Sequence, residues 1–376
     1  MLDYVFFMFC FLSILNLKIK GLDNFFNDYI EINTSNSIKG VFVWLIIFHH
    51  KSDYGIRKNY LFKKITTNLG QKIVSMFLFY SGFGICESIK KKGIYYTKTL
   101  PIKALIIFLK SQIILLLFLF ANIFIFKYKI SWKQYFLSII FKSSLGNSNW
   151  FAFTIIILYL YSYLSFRFMK NHILIGIIII SFISFFHIIL VYKYYYPLKI
   201  YSVDTIFCFV CGYYYSYLKI YIDLMMMKND INYFLIISIV VFIFYKVLSI
   251  NNLFTISITN TLFAILIVFI SMKVKLCNEF LESLNSHSYS IYLLQRLILW
   301  LVHKENLFKD SEFIQIIFEF TSIIFLSLLF DKYTAFIDKF FKGYIYKIGA
   351  NQYSPIDNIN HNDIINLNLI SLSIQK

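Results

Sequence analysis

The chain has 376 residues, of which 59% are hydrophobic, 21% aromatic and 15% charged, and its mean hydropathy is +0.69. Soluble domains are about half apolar and a quarter charged, so a water-soluble globule is excluded; 12 Gly and 3 Pro against 44 Phe and 30 Tyr exclude disordered and collagen-like chains as well. The 36 basic and 19 acidic residues give a net charge of +17, yet only Arg57, Arg167 and Arg296 are arginines, too few for a surface of guanidinium forks that reads nucleic-acid phosphates.

The expected class is therefore an all-α integral membrane protein, a polytopic bundle of about ten transmembrane helices. Its lysines lie mostly between apolar runs, where lipid headgroups and the positive-inside bias account for them. Membrane lipids are expected partners and nucleic acid is not.

In chain order, Tyr4 to Leu17 is apolar but short, and a polar stretch follows from Lys18 to Ser37. The segment reads as an eleventh span, an interfacial helix or the apolar region of a signal sequence. No Lys or Arg precedes it and no small-residue cleavage site follows, which favours the interfacial or extra segment.

A span needs about 20 mainly apolar residues. Ten such windows begin near Ile38, Gln71, Ile102, Trp150, His172, Val203, Ile231, Asn252, Ser288 and Ile314. Runs such as Ile173 to Val191 are apolar on nearly every face, which excludes the alternation of a β-barrel strand. The longest joins, Lys51 to Gly70 and Lys127 to Asn149, leave no room for an inserted soluble domain.

Basic residues occur on both sets of joins: Lys51, Arg57, Lys58, Lys63 and Lys64 on one, Lys90, Lys91, Lys92, Lys98 and Lys103 on the other. The charge rule thus leaves the orientation open. From about Asp331 the chain turns polar and Asn-rich, reading as an amphipathic end and a solvated tail. The expected organisation is a lead-in over 1–37, a ten-helix membrane domain over 38–334 and a tail over 335–376. No internal repeat of the kind found in inverted-repeat transporters is visible.

Five cysteines, Cys10, Cys86, Cys208, Cys211 and Cys277, are odd in number and lie in or beside apolar runs, which argues against a disulfide framework. Cys208 and Cys211 have the spacing of a redox or metal pair but sit mid-helix without a second pair, and they read as packing. No cluster has metal-site spacing, so no metal is expected.

Ionisable groups within spans are costly and are the first functional candidates. They are Lys39, His49, His50, Glu87, His187, Asp204, Lys246, Arg296 and His303. Eleven residues at about 100° each return Lys39 and His50 to one helix face, roughly 16 Å apart along the axis. A cation and an imidazole on one face suit a site where the cation holds an anion and the imidazole moves a proton. The plainer alternative is that Lys39 snorkels at one membrane surface while the His pair marks the other.

Asp204 either orients an imidazole or caps the sixth helix. Glu87, before three lysines, reads as a solvated helix end, His187 as a hydrogen-bonded core residue and Lys246 as a snorkelling cation. Arg296 lies about eight residues into its helix, where a partner or bound anion is expected, and it joins the substrate-site candidates. Gly82-Phe83-Gly84 lacks a preceding strand and a third Gly, so it reads as a close helix contact and not a dinucleotide fingerprint. Asn33-Thr34-Ser35 matches a glycosylation triplet by pattern and is assigned no role.

The run from Ile38 to His50, with Lys39 followed by ten residues and His50, resembles the first-span signature of the membrane acyltransferase family 3. Phe79-Tyr80-Ser81-Gly82-Phe83-Gly84, Asn149-Trp150-Phe151, Phe207 to Gly212 and Ser288 to Arg296 resemble further elements of that family in the same order. The chain departs from it in carrying Lys39 for the commoner Arg, and Gln295, followed by Arg296, where many members have His.

The resemblance implies acetyl transfer from acetyl-CoA, a substrate and not a bound cofactor, to a hydroxyl of a surface polysaccharide or its lipid-linked precursor. The multi-pass protein would lie in a bacterial inner membrane. His50 would act as general base or acyl carrier and Lys39 as counter-charge or helix anchor, with Arg296, Asp204, Trp150 and Ser81 at the substrate. The competing expectations are a glycan polymerase or flippase, against which the lack of a large external loop weighs, and a small-molecule transporter, against which the lack of repeats and of Gly or Pro breaks weighs.

Overall fold

The computed structural model describes residues 2–52, 69–167, 172–195, 203–248, 250, 252–305, 307–308 and 311–350. Arg57, Lys58, Lys63 and Lys64 and the tail from 351 onward lie outside the described residues. The architecture is all-α, with one pair of two-residue strands, Lys18–Ile19 and Val274–Lys275, antiparallel to each other.

The helices are α1 (Leu2–Ile14), α2 (Ile32–Ser52), α3 (Leu69–Lys92), α4 (Leu100–Phe120), α5 (Trp132–Ile139), α6 (Trp150–Arg167) and α7 (Ile173–Tyr195). They continue with α8 (Ile206–Met226), α9 (Asp230–Leu248), α10 (Leu253–Ser271), α11 (Glu279–Ser286), α12 (Ser288–Lys304) and α13 (Glu312–Ala350). A helix stands at each of the ten windows expected from hydropathy, starting within about six residues of its predicted position. The last runs on to Ala350, beyond the expected boundary at 334. The long Lys127–Asn149 join holds α5, whose first turn is capped by the Ser131 hydroxyl accepting from the Gln134 amide.

Local chemistry sets several of the ends. Gly93 takes φ 75° after the last turn of α3, where Lys90, Lys91 and Lys92 meet the helix carboxyl end. A 3₁₀ turn, Ile94–Thr99, then leads into α4, which has a proline in its first turn. A reciprocal capping box between Asn252 and Thr255 starts α10.

Among the described residues, seven helices are long and apolar enough to cross a membrane: α3, the rod from Ile94 to Ile125 that contains α4, α6, α7, α9, α10 and α13. Their outer faces bear large apolar side chains; α9 alone exposes Ile231, Phe234, Leu235, Ile239 and Phe242. Leaving one such side chain in water forfeits about 1.5–3 kcal/mol, so a full set would exceed the net stability of a soluble fold. Lipid removes that cost.

The three remaining long helices, α2, α8 and α12, are the least apolar because polar side chains occupy their inner faces. These include Ser37, His50 and Lys51 on α2, Tyr215 and Ser216 on α8, and Ser290, Tyr292 and Gln295 on α12. The amino-terminal segment proves to be a 13-residue helix, shorter than a span. It lies against α2 and α13: Phe9 stacks near Trp44 and Phe320, and Trp44 Nε1 donates to Ser13 Oγ at 2.9 Å.

Side-chain contacts give the helix directions. His49 lies against Gly70 and the Lys39 ammonium stands 5.7 Å from the Tyr80 ring centre, so α2 and α3 are antiparallel. Arg296 meets His50 while Gly40 lies against Leu281, shortly before α12 begins, so α12 runs parallel to α2. Lys51 meets Glu319 at one end of α13 and Ser290 meets Asp331 further along it, so α13 is antiparallel to both α2 and α12.

Helices α3 and α8 approach each other closely. A Cβ on Gly82 would lie 2.0 Å from Phe209 O, and one on Gly212 2.2 Å from Phe79 O. The small residues admit backbone-to-backbone approach, as the sequence predicts for Gly82.

Candidate active site

One end of the bundle gathers ionisable side chains from three helices. His50, in the last turn of α2, is buried, and its Nδ1 is 3.4 Å from Arg296 Nη2 on α12. Guanidinium nitrogens only donate, so this contact requires Nδ1 to accept and places the imidazole proton on Nε2. At 3.4 Å it is well beyond the usual 2.7–2.9 Å of a charge-assisted bond.

Beside this pair, Lys51 Nζ and Glu319 Oε2 form an ion pair at 2.5 Å with side chains 1% and 0% exposed, and His303 Nε2 lies 3.8 Å from Glu319 Oε1. The pair ties α2 to α13 directly behind His50. The Glu319 carboxylate offsets the Lys51 charge within the pair, which is how two charges are tolerated at this depth.

Tyr292 stands one helical turn below Arg296 on α12, with its ring 5.2 Å from Phe151. Its hydroxyl is buried beside that of Ser148, close enough for the two to hydrogen-bond, and the buried Gln295 Oε1 has no hydrogen-bond partner among the described residues. One such unpaired buried group costs about 1–3 kcal/mol.

The remaining expected site residues are distributed differently. Lys39 lies eleven residues before His50 on the same unbroken helix, roughly 16 Å away by helical rise, and its ammonium faces the Tyr80 ring, not the imidazole. Ser81 donates to Tyr159 Oη at 3.2 Å, joining α3 to α6 in Lys39's half of the bundle. Trp150 begins α6 half-buried, and it is the next residue, Phe151, that reaches Tyr292.

Asp204 does not cap a helix. Thr205 occupies the cap of α8 without a side-chain bond, and the fully buried Asp204 carboxyl has no partner among the described residues. It lies at the His50 end of the bundle, near Asn260, whose Nδ2 donates to the Asp204 carbonyl at 3.3 Å.

Three other expectations can be compared directly. His187 Nδ1 pairs with Tyr161 Oη at 2.8 Å, as a hydrogen-bonded core histidine should. Glu87 is not a freely solvated helix end: it accepts from Ser216 Oγ at 2.7 Å and from Lys90 at 3.0 Å. Cys208 and Cys211 are free thiols within the packing of α8.

The expected candidates omitted Lys51, Glu319, Ser148 and a role for the Tyr292 hydroxyl. Glu319 breaks the run Phe318-Glu319-Phe320, and that isolated carboxylate within a span was the available signal. Lys51 counted as part of a basic join, although it directly follows His50 on the same helix. Ser148 had no signal, because only the fold brings its loop over α12. Searches of protein-family models, curated proteins and solved structures find no match to this chain.

Proposed function

We propose that this protein is an O-acetyltransferase of the membrane acyltransferase family 3 kind, with ten spans, in a bacterial inner membrane. It would transfer acetyl from acetyl-CoA to a hydroxyl of a surface polysaccharide or its lipid-linked precursor. The observation that carries the reading is the buried His50 imidazole beside Arg296, with the buried Tyr292 and Ser148 hydroxyls one helical turn away. His50 stands at the position that the first-span resemblance assigns to the catalytic histidine.

In this reading the acceptor hydroxyl gives its proton to His50 Nδ1 as its oxygen attacks the thioester carbonyl carbon. The carbonyl oxygen takes up negative charge, which Arg296 and the Tyr292 hydroxyl are placed to stabilise. The C–S bond then breaks, the imidazolium returns its proton to the leaving thiolate, and the products are the acetyl ester and CoA. Base catalysis of this kind contributes about 10²- to 10⁴-fold.

Membranes containing the protein should transfer labelled acetyl from acetyl-CoA to the host's glycan. His50→Ala should abolish transfer, while His49→Ala, whose side chain packs on Gly70, should only reduce it. Full activity in His50→Ala would sink the base assignment. No acetylation by the wild type, together with shortened polymer when the gene is removed, would replace the reading with a polymerase.

A further inference from the structure

A cavity of about 450 Å³ opens at the His50 end of the bundle, outside the site just described. Ligand sites commonly fall between about 300 and 1,000 Å³. Asn122, Tyr128, Lys129, Gln134, Ser144 and Trp300 contribute to its lining. The chain builds it from the π-helical turn Ala121–Ile125 that ends α4, from the start of α5, and from the loop at Gly146. Gly146 takes φ 104° and packs against Trp300, so its backbone can follow the ring closely.

Three properties of the lining point to one ligand chemistry. The first is aromatic: Phe126 and Trp300 stack with centroids 3.9 Å apart, and Tyr128 lies 5.9 Å from Trp300 with its ring 48% exposed. The second is the Gln134 amide, a side chain suited to the donor and acceptor edge of adenine, whereas the buried Asn122 spends its Nδ2 on the Phe118 and Leu145 carbonyls and so shapes the wall. The third is charge. Lys129 lines the cavity, Lys304 sits over Phe126 and Tyr128 at 4.5 and 4.1 Å, and no acidic residue occurs in the sequence between Glu87 and Asp204. Cations so placed attract phosphate.

One face of α12 runs from the site at Arg296 toward the cavity at Trp300. Tyr292, Arg296, Trp300 and Lys304 are spaced four residues apart, forming a stripe that climbs about 6 Å and turns about 40° at each step. The lowest two serve the site and the upper two serve the cavity.

We propose that this cavity binds an adenosine phosphate, the nucleotide end of CoA, and that its pantetheine arm follows the stripe inward to His50. The assignment of the arm rests on the acetyl-transfer reading; the nucleotide site itself does not. A corollary is that the His50 end faces the cytoplasm, where acetyl-CoA is made.

The test is titration of the purified full-length protein with adenosine 3′,5′-bisphosphate and with CoA, in nanodiscs of zwitterionic lipid with and without added phosphatidylglycerol. The expected result is saturable binding of both, weakened at least tenfold in Tyr128→Ala, Lys129→Ala and Gln134→Ala. These variants should keep the wild-type melting temperature, and Lys98→Ala should bind as wild type. Quenching of tryptophan fluorescence by the bisphosphate should be lost in Trp300→Phe.

Absence of bisphosphate and CoA binding, or wild-type binding by all three variants, overturns the proposal. So does loss of binding on adding phosphatidylglycerol, which would make the cavity a lipid headgroup site. Nucleotide binding without any acetyl transfer would sustain the site while removing the reading of the reaction. Acetyl transfer with an unchanged KM for acetyl-CoA in the variants would do the reverse.

Discussion

The buried ion pair of Lys51 and Glu319 illustrates how a charge inside a bilayer is tolerated and what it then controls. Desolvating both groups costs more than their attraction returns unless the geometry is close, and here it is 2.5 Å with essentially no exposure. Removing one partner strands the other, so Lys51→Ala and Glu319→Ala should each destabilise the protein by about 3–5 kcal/mol. Lys51→Met with Glu319→Leu should recover most of that loss. Thermal unfolding in detergent reads the difference; equal losses in the single and double variants would mean that the pair does not hold α2 to α13. His50 was legible in the sequence because its spacing from Lys39 marked one helix face. Glu319 was equally visible by the rule that singled out Arg296, but its partner Lys51 hid in a basic join. The distance between Lys39 and His50 shows the limit of such patterns: a shared face does not make a shared site.

At the scale of elements, the ten helices were legible because apolar length is set by bilayer thickness and survives any detail of packing. Their ends were less so, since α2 starts at Ile32 within a polar stretch and α13 continues to Ala350. The seam between α3 and α8 depends on two residues without side chains. Gly82→Ala and Gly212→Ala each place a methyl group within about 2 Å of a partner carbonyl, and overpacking of this kind costs typically 1–3 kcal/mol. Gly84, two residues from Gly82, meets nothing within 4 Å, so Gly84→Ala is the control and should melt as wild type or slightly higher. If all three variants melt alike, the close approach of these helices is not part of their stability. The chemistry-bearing positions fall on or next to α2, α8 and α12, the helices that hydropathy ranks lowest. The compositional signal for spanning is weakest where the functional signal is strongest.

Across the whole molecule, the contacts that orient α2, α3, α12 and α13 place the His50 end and the Lys275 end on opposite sides. In the ten-span reading, Lys129 and Lys275 lie on opposite faces of the membrane. Cysteine placed at each position, in a background with its five native cysteines replaced, should therefore label from opposite sides with an impermeant maleimide. Labelling of both from one side would require a different number of crossings. The charge rule could not order the two faces because lysines crowd both, so in our proposal it is nucleotide binding at the cavity that would turn the His50 end toward the cytoplasm. The polar inner faces of α2, α8 and α12 carry one more consequence, for biogenesis. A segment that partitions poorly into hydrocarbon by itself waits at the insertion machinery until a greasier successor arrives. Synthesis of this chain should thus commit α2 to the bilayer only once α3 has emerged, so that the His50 end of α2 leaves water late.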